Sequence, residues 1–121
     1  MEVIIIKNER LFKMSFASVY ILYIQKAEKK GRTKSEVDMI ICWLTGYNQE
    51  SLLLQIENNV DLKTFYTDAP TINIYAGKIK GKICGISVED IEDPLMKNIR
   101  LLDKLIDELT KGKEMTKILR E

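Results

Sequence analysis

Apolar residues recur at steps of three and four along most of this chain, the spacing of one face of a helix. After Ser15 the rule is met by Phe16, Tyr20, Tyr23, Ile24 and Ala27. The Lys-rich end AEKKG closes that run at Gly31, with cations at the negative end of the helix dipole. Thr33-Lys34-Ser35-Glu36 then has the form of a capping box, in which hydroxyl and carboxylate satisfy each other's backbone N–H. Val37, Ile40, Ile41 and Leu44 make the buried stripe of the second helix. In WLTGY, residues 43–47, Gly46 stands where that helix must stop and takes left-handed backbone without a Cβ penalty. Tyr47 is placed to pack back on the last turn, and Trp43 sits on the flank, partly buried. Asn48 caps a third helix whose apolar face is Leu52, Leu53 and Ile56.

Asp61 caps a short helix carrying Leu62, Phe65 and Tyr66, ended by Asp68-Ala69-Pro70. Asp93-Pro94 opens the most strongly patterned helix, since proline's missing N–H costs nothing in a first turn. Leu95, Ile99, Leu102, Ile106 and Leu109 run along one face, and Leu101 and Leu105 widen it beyond a coiled-coil seam. Gly112 stops this helix, and Met115, Ile118 and Leu119 mark a short last one. Two segments break the helical rule. Val3 to Ile6 is β-branched throughout and predicts a short strand or extended arm. TINIYAGKIKGKICG, residues 71–85, mixes isoleucines with Gly77 and Gly81, each costing a helix about 1 kcal/mol, so a hairpin is an alternative. A gapless match of residues 44–52 to residues 83–91 tips the reading toward a second helix–glycine–helix corner. The expected architecture is mainly α: a compact single-domain bundle of about six or seven helices over residues 10–121. Residues 1–9 form an N-terminal extension. A short N-terminal strand, or a small hairpin around residues 72–86, is left open.

Composition narrows the chemistry. The 121 residues are 45% hydrophobic and 31% charged, which suits one globular domain. With 19 basic and 18 acidic residues the net charge is +1, so no global field draws the chain to nucleic acid or membrane. Cys42 and Cys84 have no CxxC partner and there is no histidine, which leaves a zinc site short of ligands. Both cysteines stand among apolar residues and are expected to fill the core in reduced form. The longest apolar runs, VYILYI and MIICWL, are far shorter than a membrane span, and VIII near the start lacks the length and cleavage site of a signal peptide. A cytoplasmic location is expected.

Several phrases together resemble an uncharacterised bacterial family, the domain of unknown function 2200. They are MSFASVY at Met14–Tyr20, KAEKKGRTKSEVD at Lys26–Asp38, WLTGY, VEDIEDPLMKNIRLLDKLIDEL at Val88–Leu109 and KGKEMTKILR at Lys111–Arg120. The resemblance runs from about Arg10 to the C-terminus. It implies a small cytosolic bacterial protein and carries no activity, substrate or catalytic residue.

Candidate chemistry is sparse. Without histidine, the common general base and the Ser–His and Cys–His nucleophile systems are missing. No GxxxxGKS/T loop is present, and GKIKGKICG lacks the spacing of GxGxxG. Glu89, Asp90, Glu92 and Asp93 have the chemistry of a hard-cation site, but read more simply as helix caps at a positive dipole end. Lys26, Lys29, Lys30, Arg32 and Lys34 form a basic corner, and Lys78, Lys80 and Lys82 a second run, both able to contact phosphates. The glycine corners loosely resemble a helix-turn-helix, yet the stretch after Gly85 is acidic and meets Pro94 at once, unsuited to reading DNA. Tyrosines near Arg32 or Arg100 could line a small pocket. No catalytic, cofactor or metal residue is assigned. The leading expectation is a non-enzymatic binding or adaptor module, with Lys26, Lys29, Lys30, Arg32, Lys34, Trp43 and Tyr47 as its candidate surface. Arms of Val3–Ile6 pairing across a two-fold axis leave a homodimer open. The alternatives are a nucleic-acid-associated protein using Lys26–Lys34 and Lys78–Lys82, favoured by a basic groove, and an enzyme of unfamiliar type, favoured by a pocket of converging Asp, Tyr and Arg.

Overall fold

The computed structural model describes residues 9–121, and the strand expected at Val3–Ile6 lies outside them. In chain order the helices are α1 (9–13), α2 (Phe16–Lys29), α3 (Lys34–Thr45), α4 (Gln49–Glu57), α5 (Leu62–Thr67), α6 (Pro94–Thr110) and α7 (Met115–Ile118). Between α5 and α6 lie a 3-10 turn at Ile74–Lys78 and two strands, β1 (Lys82–Ile83) and β2 (Ile86–Ser87). The described residues are thus mainly α with one small hairpin.

The caps act where the local grammar puts them. Ser15 accepts from the Ser18 N–H and Asp61 from the Thr64 N–H, while Asp93 accepts from the Met96 N–H with Pro94 in the first turn. Thr33 and Glu36 close a full capping box, and Asn48 and Ser51 close another. Gly46 ends α3 at φ +80° and its N–H reaches the Cys42 carbonyl. An added Cβ there would meet the Thr71 carbonyl oxygen at 3.0 Å, so close approach and handedness both demand glycine.

The second corner is different from the expectation. Residues 83–91 do not repeat the helix–glycine–helix corner of residues 44–52. Lys82 pairs with Ser87 and Ile83 with Ile86 in an antiparallel hairpin. Its two loop residues, Cys84 and Gly85, have φ of +53° and +79°. Positive φ at both positions is what a type I′ two-residue loop requires, and it fits the twist of the flanking strands. Cys84 is therefore exposed at a loop tip and is not a core filler; Cys42 is half-buried. Leu53 also departs from its expected place: it is 53% exposed, while Leu52 on the same helix is buried.

Helix α6 runs through the middle, packed against α2, α3, α5, α7 and β1. Its Ile99, Leu101, Leu102, Leu105, Ile106 and Leu109 are all buried, as the wide stripe requires. Within the same core the rings of Phe16 and Phe65 stack with centroids 3.7 Å apart, and Tyr66 meets Phe65 edge-on at 5.1 Å. Full burial of each phenylalanine contributes about 1.5–3 kcal/mol.

Candidate functional site

The residues expected to form a binding surface have separate fates. Tyr47 is buried, its hydroxyl donating to the Phe65 carbonyl at 2.6 Å, and burial with Asp68 nearby pushes its pKa up to about 12. Trp43 is half-buried, and its carbonyl accepts from Asn73 Nδ2 at 3.1 Å. The Arg32 guanidinium grips Glu36 at 2.7 Å and donates to the Leu109 and Lys113 carbonyls at 3.3 and 2.9 Å. It fastens the α2–α3 turn to the end of α6 and supplies the positive charge that helix end favours. Lys34 pairs at 2.8 Å with buried Asp38, which also accepts from the Tyr20 hydroxyl at 2.6 Å. Lys29 and Lys30 are exposed. Lys34 also borders an open pocket with Tyr20, Gln49 and Glu50, whereas Lys26 reaches a separate cleft where Tyr23, Arg100 and Asp103 converge.

That cleft, about 200 Å³, lies between α2, α6 and the hairpin tip. Helix periodicity builds it: Arg100, Asp103, Asp107 and Thr110 step three, four, three along α6 and share one face. Tyr23 and Lys26, three apart on α2, face them, and Ile83 and Cys84 close the third side. The Tyr23 hydroxyl donates to Asp103 Oδ1 at 2.5 Å, and Arg100 Nη1 donates to Asp103 Oδ2 at 3.0 Å. Asp107 is held by Lys111 at 3.0 Å and Lys104 at 3.8 Å. Burial, then the neighbouring Tyr66 and Asp103, drives the Tyr23 hydroxyl well above the ordinary value of 10, so it stays a donor near neutrality. Arg100 and the tyrosines are pocket candidates by residue type; Asp103, Asp107 and Thr110 are not singled out by the sequence. Their helical spacing with Arg100 was the available signal.

Of the two basic runs only Lys80 takes part in a lysine-lined groove, which lies at the end of α6. Lys80, Lys104, Lys111, Lys113 and Lys117 line an open groove of about 610 Å³ with Asp107, Glu108 and Glu114. Glu108 is buried and takes Arg120 at 2.7 Å and Lys113 at 3.4 Å, so much of this charge is neutralised internally. Lys78 lies over the Tyr75 ring at 4.9 Å and donates to the Glu121 carbonyl. The acidic run is used locally, Glu89 accepting from the Gly81 N–H and Asp93 capping α6.

A family model described as an uncharacterised protein conserved in bacteria, DUF2200, matches residues 10–120. The crystal structure of uncharacterized protein SP1917 is similar with a TM-score of 0.87 at 41% identity, covering 92% of this chain and 91% of that one. No curated protein matches the chain.

Proposed function

We propose, for a chain that belongs to the uncharacterised bacterial family DUF2200, a role as a non-enzymatic binding module that seats a small polar ligand in the α2–hairpin–α6 cleft. The observation that carries this reading is the convergence of Lys26, Tyr23, Arg100 and Asp103 from two helices onto one cleft. Asp, Tyr and Arg do meet here, as an enzyme would need. Their arrangement supports holding over turnover, because both Asp103 oxygens are engaged and the Tyr23 proton is held tightly. At about 200 Å³ the cleft falls below the usual ~300–1,000 Å³ of drug-sized sites, which suits a small molecule or one end of a larger one.

The test is a thermal-shift screen of small polar compounds against the wild type and Thr110→Trp, whose indole would fill the cleft. Ligands that stabilise the wild type and lose their effect on Thr110→Trp support the reading; equal effects on both contradict it.

A second reading, association with nucleic acid, is favoured by the five lysines of the groove at the end of α6. Binding of a single-stranded oligonucleotide that weakens steeply with salt and with Lys80→Glu and Lys117→Glu would support it. Self-association and a cytoplasmic setting belong to the proposal as well. Half-exposed Ile21 and Leu22 on α2, and Leu53 and Leu54 on α4, would be covered in a homodimer, which sedimentation of the full chain checks. The free cysteines fit a reducing compartment.

A further inference from the structure

Resting on the cleft-binding reading, we infer that the ligand presents an anionic oxygen group, a carboxylate or a phosphate, to Arg100 and Lys26. Arg100 carries a fork of N–H donors, and among the described residues it donates only to Asp103 Oδ2. Its side chain is 27% exposed, so the remaining donors lie at the cleft wall with partial access. The Lys26 side chain, exposed on the facing helix, makes no ion pair or hydrogen bond among the described residues. A guanidinium fork and an ammonium across a small gap match a two-oxygen anion, and charge-assisted bonds of this kind are the strong ones.

The carboxylates of the cleft do not cancel this attraction. Asp103 is matched by Arg100 itself and by the Tyr23 hydroxyl, and Asp107 by Lys111 and Lys104. Lys26 therefore stands as charge in excess on the cleft rim. Ile83 and Ile106 provide an apolar wall beside these cations. The group accommodated is thus an anion joined to a short carbon body, a small organic acid or a phosphate monoester. The amino group of an amine would instead face Arg100 and Lys26 at close range.

Three probes with one carbon skeleton separate the cases: butyrate, butyl phosphate and butylamine, titrated calorimetrically into the full chain at fixed ionic strength. Saturable binding of butyrate or butyl phosphate is expected, and the tighter of the two names the source of the anion. Lys26→Glu, an exposed position outside the core, should weaken that binding about tenfold or more. Lys63→Glu, on α5 away from the cleft, should leave it within about twofold and so controls for net charge. Arg100→Gln should act in the same direction as Lys26→Glu. Anion binding that ignores Lys26→Glu overturns the inference, and so does no binding of either anion. Butylamine binding that is lost in Thr110→Trp overturns it while leaving the cleft as a binding site.

Discussion

At the scale of single residues, the clearest demands come from backbone geometry and caps. Gly46 combines φ +80° with Thr71 backbone atoms 3.0 and 3.1 Å from any added Cβ. Gly46→Ala should therefore destabilise by about 2 kcal/mol in urea denaturation. Gly77→Ala, with open space and no positive φ, should fall within about 0.5 kcal/mol of the wild type. Glu36 sits between Arg32 and the Thr33 N–H, and these two, in that order, lower its pKa from 4.5 to about 2. In the window between those values the unfolded chain binds the proton and the folded chain does not, so stability rises with pH across it. The contribution is complete above about pH 4.5 and disappears as pH falls through about 2. Glu36→Gln should cost about 1–2 kcal/mol at neutral pH, and the gap to the wild type should close in denaturation series run toward pH 2. Both residues were legible in the sequence because capping and glycine grammar act over four residues or fewer.

At the scale of elements, legibility follows the range of the forces. Helix α6 announced itself through its stripe and its Asp93-Pro94 start, because both signals are local and repeated. The segment 83–91 misled for the same reason. Its apolar–glycine–apolar–polar order is shared by a helix corner and a two-residue hairpin loop, and only the pairing of Ile83 with Ile86 separates them. The loop also places a non-glycine residue, Cys84, at φ +53°. Asparagine tolerates that conformation better and Asn-Gly is the favoured I′ pair, so Cys84→Asn should stabilise by about 0.5 kcal/mol in thermal denaturation. The same geometry decides thiol reactivity. Cys84 is exposed, whereas Cys42 is half-buried, and burial, then Asp38, pushes its thiol pKa up. Under native conditions a thiol reagent should modify Cys84 promptly and Cys42 slowly. Equal rates would contradict the hairpin placement.

At the scale of the whole molecule, the site arises from contacts that no local pattern encodes. Tyr23 and Asp103 are 80 residues apart and join by one hydrogen bond; Arg32 reaches Lys113 across a separation of 81. Lys26, Arg32 and Lys34 are neighbours in the chain and read as one basic corner. Folding separates them, turning Arg32 to the end of α6, Lys34 to Asp38 and Lys26 to the cleft. Charge type was legible; assignment of each charge to a structural or a binding task was not, since that depends on which helix lies opposite. The most direct check of the cleft as the binding site is a two-dimensional NMR titration of the isotope-labelled full chain with butyrate and butyl phosphate. The account predicts saturable shifts concentrated at the backbone of Tyr23, Lys26, Cys84, Arg100 and Thr110. Shifts centred instead on Lys80, Lys111 and Lys117, or on Leu53 and Leu54 of α4, would contradict it.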